Sequence, residues 1–150
     1  MTPPLQPCDE LLLDNQLCFA LYSTSLLMTK TYKPLLQALG LTYPQYLAML
    51  VLWENEGITV SEISARMLTD PGSLTPLLKR LESEGLLQRR RSTEDERIVR
   101  LYLTDKGRAL HEQAKSLPAC ILKATGLDLQ NLAELRDNLM ELRRNLQSTL

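Results

Sequence analysis

Three cysteines, Cys8, Cys18 and Cys120, are the residues of this 150-residue chain that could do redox chemistry, and they lie far apart. A thiolate attacks a peroxide oxygen and becomes a sulfenic acid, which a second thiol can trap as a disulfide. Three widely spaced cysteines without a CxxC pair are typical neither of a disulfide framework nor of a zinc site. Because His111 is the single histidine, we expect no metal, no cofactor and no histidine-based catalysis.

Tyrosine hydroxyls could support such a thiol, because a phenol can donate a hydrogen bond to a thiolate and stabilise it. Tyr32 and Tyr43 are the candidates, and apolar neighbours of Cys18 such as Phe19 and Met28 favour lipid-like or aryl hydroperoxides over hydrogen peroxide. The alternative is structural. A lone cysteine on a leucine-rich helix is most often a small buried hydrophobe, and both tyrosines could be core aromatics.

Positive charge is concentrated in the middle of the chain, around the segment RRRSTEDERIVR at positions 89–100. Residues 71–108 carry nine basic and six acidic side chains, whereas residues 1–70 carry three basic and seven acidic ones. The chain as a whole has a net charge of -1. An anionic partner is therefore expected to dock on the middle segment rather than anywhere on the surface.

Helical periodicity and capping residues predict the elements that must position these side chains. Two short strands, 86–91 and 98–103, are predicted around a hairpin loop at 92–97. The predicted helices run from Asp9 to about Thr31 with a break at Pro34, from Thr42 to about Asn55, from Thr59 to about Leu68, from Gly72 to about Glu84, from Thr104 to about Thr125 with a bend or interruption at Pro118, and from Asp128 onward.

This order predicts a mainly α fold with a small β-hairpin, a winged helix-turn-helix in one domain of 150 residues. Residues 42–104 would form the DNA-binding region, and residues 1–34 and 105–150 the helical dimerisation region. The terminal helices have apolar faces without a partner in so small a core, so we expect a homodimer. The N-terminus carries no basic n-region and no apolar run approaches the ~20 residues of a membrane span, which makes the cytoplasm the expected compartment.

The helix SLTPLLKRLESEG has a leucine face and a polar face, and the polar face could enter the major groove of DNA. Its candidate contacts are Ser73, Thr75, Lys79 and Arg80. The alternative is a plain amphipathic helix with a solvated face.

The hairpin offers a second set of candidates. Arg89 and Arg91 on the incoming strand could face the phosphate backbone, and Arg97 at the tip could enter the minor groove. Asp95 could accept hydrogen bonds from Arg97 or from loop amides and so fix the loop. The alternative is a solvated hairpin tip whose mixed charges serve solubility.

The stretch DPGSLTPLLKRLESEGLLQRRRSTEDERIVRLYLTDKG resembles the winged-helix core of the MarR family of transcriptional regulators. The resemblance covers the recognition helix, the D-x-R wing signature at Asp95 and Arg97, and the LT-x-x-G sequence at 103–107. It implies a homodimer on palindromic double-stranded operator DNA, with Arg97 in the minor groove, Asp95 as its support and the two recognition helices roughly 34 Å apart.

The segment LCFALYSTSLLMTKTYKPLLQALGLTYPQYLAML resembles the organic-hydroperoxide-sensing (OhrR-type) branch of that family. The resemblance implies that Cys18 is the reactive cysteine and that Tyr32 and Tyr43 of the partner subunit reach it. Cys120 stands where two-cysteine members of the branch carry a second thiol, which implies an intersubunit disulfide and release of the operator. Cys8, in a proline-rich tail, is interpreted as incidental.

Three other functions stay open at this point. A MarR-type repressor could be gated by a small aromatic ligand instead of thiol oxidation. A thiol peroxidase is a different class, but no arginine or histidine is obviously placed to activate Cys18 for turnover, so we expect no enzyme. A helical adaptor could use the hairpin for protein contacts, which sequence-specific and salt-sensitive DNA binding would exclude.

Overall fold

The computed structural model describes residues 10–150, which form a mainly helical chain with one small antiparallel sheet. Cys8 and the predicted helix start at Asp9 lie outside the described residues. The elements are α1 (Leu17–Gln37), α2 (Tyr43–Glu54), β1 (Ile58–Thr59), α3 (Val60–Met67), α4 (Pro71–Ser83), β2 (Leu87–Arg91), β3 (Val99–Leu103), α5 (Asp105–Ala114), α6 (Leu117–Thr125) and α7 (Leu129–Ser148).

The sheet has the order β1-β3-β2, and the hairpin of β2 and β3 is the predicted wing. Leu87 pairs with Leu103 and Arg91 with Val99 along the hairpin, and Ile58 of β1 pairs with Leu101 on the other edge of β3. The fold class is confirmed, although β1 was not among the predicted strands. A two-residue strand is too short to show an alternating pattern, and its pairing partner lies more than forty residues away.

Side-chain caps explain why the helices begin where they do. Thr42 and Gln45 form a reciprocal capping box at α2, with 2.9 Å from the Thr42 amide to Gln45 Oε1. Each of the other capping side chains accepts a hydrogen bond from the backbone N–H three residues later. These caps are Thr59 for α3, Asp70 for α4, Thr104 for α5 and Asp128 for α7.

The prediction for the first helix was wrong at both ends. Residues 13–15 form a short 3-10 turn, α1 begins only at Leu17, and the helix continues through Pro34 to Gln37. Proline removes one backbone hydrogen bond but has a helical φ. The turn beyond it buries Leu36, which is 1% exposed, and this burial offsets the lost bond. The interruption predicted at Pro118 is confirmed, because α5 ends at Ala114 and α6 begins at Leu117.

The core lies between α2, α3, α4, the sheet and the C-terminal end of α1, which together we call the winged-helix lobe. Its fully buried large side chains are Leu36, Met49, Leu52, Ile63, Leu74, Leu78, Leu81, Leu87 and Leu101. The long helix α7 buries none of its residues. Among residues 10–150, no helix combines the length and apolarity that crossing a bilayer requires.

Candidate thiol site and DNA-binding surface

Both described cysteines are free and exposed. Cys18 is the second residue of α1, and Cys120 lies in α6, between Leu117 and Thr125. The sequence left open that Cys18 is a small buried hydrophobe of a leucine-rich helix. Its exposure excludes that interpretation for the chain by itself, and it leaves the sulfur accessible to an oxidant or a partner.

Three tyrosines, rather than the two predicted, form one cluster where α1 meets α2. The ring centroids of Tyr32 and Tyr43 are 5.0 Å apart, and Tyr46 lies 5.8 Å from Tyr32 and 6.4 Å from Tyr43. Tyr46 is only 5% exposed. Its position three residues after Tyr43 in a predicted helix was the signal that could have identified it, because such residues share a helix face.

The environment of this cluster keeps its hydroxyls protonated. Burial, followed by the neighbouring Tyr43 and Tyr46, raises the pKa of Tyr32 to about 12. Burial also raises the pKa of Tyr43 and Tyr46. A phenol with a raised pKa keeps its proton at neutral pH, so these groups are available as hydrogen-bond donors to an anion such as a thiolate.

Within one chain the thiol and the tyrosine pair are far apart. Cys18 and Tyr32 both lie in α1, fourteen residues apart, which corresponds to about 21 Å along the helix axis. At about 100° per residue the two side chains project within about 40° of the same direction. The structure therefore brings Tyr32 and Tyr43 together but does not bring Cys18 of the same chain to them.

A line of aromatic contacts leads from the tyrosine cluster to α5. Tyr46 contacts Trp53 at 6.4 Å between ring centroids, and Trp53 contacts His111 at 5.3 Å. The indole Nε1 of Trp53 donates a 2.9 Å hydrogen bond to the Gly107 carbonyl. A side chain at Gly107 would clash with the Leu86 carbonyl oxygen, so α5 packs directly on the residue that precedes β2 of the wing.

An apolar cavity of ≈ 500 Å³ opens between α1 and α2 on the same side as the tyrosines. Leu26, Leu36 and Leu41 supply apolar walls, and Tyr43 and Lys33 supply polar groups. Mostly apolar walls with a few polar groups are typical of small-molecule sites. A hydrophobic hydroperoxide and an aromatic ligand would both suit this lining.

The candidate residues of α4 are engaged differently. Ser73 donates its hydroxyl to Asp70 in the cap at 2.9 Å, and Thr75 donates to the Pro71 carbonyl at 2.9 Å. Lys79 is exposed. Arg80 pairs with Glu84 at 3.3 Å and lines a cavity beside the turn between α1 and α2, and no wing residue lines that cavity.

The wing tip has the predicted internal brace. Asp95 accepts hydrogen bonds from the backbone N–H of Arg97 at 3.0 Å and from its guanidinium at 3.1 Å. These hydrogen bonds, the side-chain one first, hold the pKa of Asp95 below its ordinary value. The Arg97 side chain is 89% exposed, so it projects from the tip while its orientation is restrained.

A cleft of ≈ 570 Å³ between α3, the start of α4 and the wing gathers three of the predicted residues, Thr75, Arg89 and Arg97. Arg89 is half-buried there and its Nε lies 3.4 Å from Glu82. Arg91 does not join them. Its guanidinium donates to the Glu96 carbonyl at 2.9 Å, and it lines a cavity with Arg90 and Arg100.

Comparison with known proteins agrees with this architecture. The family model described as "Transcriptional regulator SarA/Rot" matches residues 30–114. The chain is 50% identical over 136 residues to the organic hydroperoxide resistance transcriptional regulator of Bacillus subtilis, covering 89% of this chain and 92% of that protein.

Among solved structures, AbfR of Staphylococcus epidermidis is similar in two states. The reduced form bound to DNA superposes with a TM-score of 0.78 at 34% identity, covering 91% of this chain and 93% of that one. The disulfide form gives a TM-score of 0.60 at 35% identity, with 91% and 90% covered. The present fold is therefore more similar to the reduced form bound to DNA than to the disulfide form.

The winged-helix fold and the similarity to regulators bound to DNA define the class of this protein as a DNA-binding transcriptional regulator. With the matches above, the chain belongs to the MarR family of transcriptional regulators, in its organic-hydroperoxide branch. These relatives are regulators and not enzymes, which agrees with the expectation drawn from the sequence.

Proposed function

We propose that this chain is a transcriptional repressor that binds palindromic operator DNA as a homodimer and releases it when an organic hydroperoxide oxidises Cys18. The observation that carries the proposal is the layout of α1. The exposed Cys18 thiol lies at one end of α1 and Tyr32 near the other, and both project from nearly the same face, while Tyr43 of α2 packs against Tyr32.

A second copy would complete the thiol site. If two α1 helices pack antiparallel about a twofold axis near Ser25, each Cys18 meets Tyr32 and Tyr43 of the partner. The seam Cys18, Tyr22, Ser25, Thr29 and Tyr32 has alternating spacings of four and three residues, as helix pairs require. Ser25 and Thr29 are small enough for close approach, and exposed apolar side chains such as Leu21 and Leu26 flank the seam.

The chemistry follows from this arrangement. The Cys18 thiolate attacks one oxygen of ROOH, the O–O bond breaks, and the sulfur becomes a sulfenic acid while RO⁻ takes a proton and leaves as the alcohol. The protonated tyrosines donate hydrogen bonds to the attacking sulfur. The apolar cavity beside Tyr43 favours a hydrophobic R group over hydrogen peroxide itself.

Cys120 is proposed as the resolving thiol. Its sulfur attacks the Cys18 sulfenic acid of the partner subunit, a disulfide forms and water leaves. The exposure of both sulfurs in the single chain supports this step, because a buried thiol could not reach across a subunit boundary.

Release of DNA requires the thiol site to affect the winged-helix lobe. The aromatic line from Tyr46 through Trp53 to Gly107 is the route that we propose, because it ends where α5 packs against the residue before β2. A shift of α1 on oxidation would change this packing and the spacing of the two wings. A coupling of about 3 kcal/mol weakens operator binding more than a hundredfold.

On the DNA side, Arg97 is proposed for the minor groove, with Asp95 as its support. Thr75 and Arg89 line the cleft between wing and recognition helix and would contact the backbone there. Ser73 and Lys79 are proposed contacts along α4. Arg80 and Arg91 keep their predicted roles only if their side chains leave the partners that they have in the free chain.

The decisive test is an operator mobility shift with and without cumene hydroperoxide. Wild-type protein and Cys8→Ser, the matched cysteine control, should release the operator on oxidation, whereas Cys18→Ser should stay bound. A Cys18→Ser protein that still leaves the DNA would overturn the mechanism. On a non-reducing gel, Cys120→Ser should lack the crosslinked dimer and stop at the sulfenic acid or overoxidise.

The second candidate function is a MarR-type repressor gated by a small aromatic ligand, and the ≈ 500 Å³ apolar cavity favours it. Alkylating the thiols before the assay separates the two. A response that survives alkylation belongs to ligand gating, and a response that disappears belongs to thiol oxidation.

A further inference from the structure

Four of the five arginines of the wing form two pairs that differ in how their charge is balanced. Arg89 pairs with Glu82 and Arg97 with Asp95, and both line the cleft next to the recognition helix. Within residues 10–150, no carboxylate forms an ion pair with Arg90 or Arg100. The positive charge of Arg90 and Arg100, like that of Arg91, therefore lies at a cavity separate from the cleft beside the recognition helix.

Neutral groups hold these two arginines in place. Arg100 donates to the Gly57 carbonyl at 2.9 Å, and Arg90 donates to the Gln88 side-chain oxygen at 2.9 Å. The Arg90 guanidinium also lies 4.7 Å above the centre of the Tyr102 ring. Such partners fix the guanidinium groups without cancelling their charge, so the positive field is preorganised for an anion.

The strand register makes this arrangement unfavourable for the free chain. Arg90 and Arg100 are direct cross-strand partners, and like charges placed opposite each other destabilise a sheet. Glu94 lines the same cavity of ≈ 300 Å³. Glu56 is engaged elsewhere, since its pKa is lowered first by a hydrogen bond from Arg108 and least by the charge of Arg90. An anion between the two arginines would remove the repulsion.

The face of the sheet on which Arg90 and Arg100 lie indicates which anion they would bind. Leu87, Leu101 and Leu103 of the same strands face the lobe core, so alternation turns Arg90, Arg100 and Tyr102 to the opposite face of the sheet. A wing whose tip enters a minor groove about 6 Å wide lies between two phosphate backbones. The cleft with Arg89 can serve one backbone, and the outer face would serve the other.

We propose that Arg90 and Arg100, with Tyr102 beneath them, form a second anion site that holds the phosphate backbone across the minor groove from the recognition helix. The site rests on the proposed binding of operator DNA and adds to it residues on the outer face of the wing. It makes the wing a two-sided clamp, with Arg97 between the two backbones.

The test is the salt dependence of operator affinity, measured on a palindromic duplex that the wild-type protein selects from a random pool. Arg90→Gln/Arg100→Gln removes one phosphate contact from each of the two wings of the dimer. The slope of log K against log salt should therefore become less steep by about 2, because each phosphate contact contributes about 0.9. Affinity near 0.1 M salt should fall roughly tenfold or more. Arg90→Lys/Arg100→Lys, which keeps the charge, should retain most of the slope.

Lys115→Gln/Lys123→Gln is the matched control, since it removes two charges from α5–α6 and should leave the slope unchanged. Phosphate ethylation interference shows which phosphates of the operator the two arginines contact. In each half-site, the glutamine variant should lose interference on the strand across the minor groove and keep it beside the recognition helix.

The proposed anion site is overturned if the salt dependence of operator affinity is unchanged in the glutamine variant. It is also overturned if that variant loses phosphate contacts beside the recognition helix instead. A wild-type protein that binds no operator overturns the proposed function as well. Operator binding by the wild type with an unaffected variant overturns this inference alone.

Discussion

The winged-helix lobe fills its core from one chain, whereas α1 and α7 leave most of their apolar side chains exposed. In the lobe, Leu74, Leu81 and Leu101 are completely buried. In α7 no residue is buried, and Leu129 and Leu146 are 72% and 56% exposed. Leucines recur at helical spacing in both regions. The difference is that other elements of the same chain cover the leucines of the lobe but not those of α7.

This difference predicts that the stability of the two regions depends differently on protein concentration. The lobe gains its stability within the chain, so its free energy of unfolding should not depend on protein concentration. In the proposed homodimer, the exposed faces of α1 and α7 would gain theirs only against a second copy, which would make their contribution concentration-dependent. The proposed reactive thiol, Cys18, therefore lies in the region that would depend on association, and the proposed DNA-reading surface lies in the region that would not.

The largest expected effect comes from a matched pair of leucine truncations. Leu101→Ala should lower the free energy of unfolding by about 2–5 kcal/mol through a cavity in the lobe core. The loss should be the same at low and high protein concentration in urea denaturation followed by circular dichroism. Leu139→Ala in α7 should instead weaken dimerisation in sedimentation experiments, with a stability loss that grows on dilution. Concentration-independent behaviour of both variants would contradict the division into two regimes.

An intermediate effect is expected at the contact between Trp53 of the lobe and α5, on the proposed route from the tyrosine cluster to the wing. Trp53→Phe keeps a ring beside Tyr46 and His111 but leaves the Gly107 carbonyl without its indole donor. Unfolding should become easier by about 1 kcal/mol, and the ratio of reduced to oxidised operator affinity should fall. Trp53→Leu, which also removes the ring contacts, should cost more. If Trp53→Phe lowers stability but leaves the affinity ratio intact, this route does not carry the coupling.

The smallest effect concerns strain inside the lobe. Leu68 ends α3 with a left-handed backbone, at φ 52, and its side chain is 53% exposed. A side chain costs roughly 1–2 kcal/mol in that conformation, while glycine adopts it freely at some entropic cost. Leu68→Gly should therefore raise the free energy of unfolding by about 0.5–1 kcal/mol at any protein concentration. Ala65→Gly, one turn earlier in α3, should lower it by a similar amount, and a loss of stability in both variants would show that Leu68 is not strained.

Local sequence signals predicted most of the fold because their causes are local. Thr42, Asp70, Thr104 and Asp128 cap helices through hydrogen bonds that reach only three residues along the chain. The wing tip belongs to the same class, since Asp95 and Arg97 are two residues apart and form the brace that their types predicted. Pro34 shows the limit of such rules, because burial of Leu36 in the tertiary core outweighed a local helix breaker.

By itself the sequence determined the winged-helix class, the candidate thiols and the tip of the wing, all of which depend on residue types at short spacing. Only the tertiary structure decided that Tyr46 joins Tyr32 and Tyr43, that Trp53 reaches Gly107, and that Arg90 faces away from Arg89. These are relations between segments distant in the chain, or between the two faces of a strand whose register a one-residue shift would invert. Such relations are set by packing and pairing across the whole fold, so no local pattern carries them.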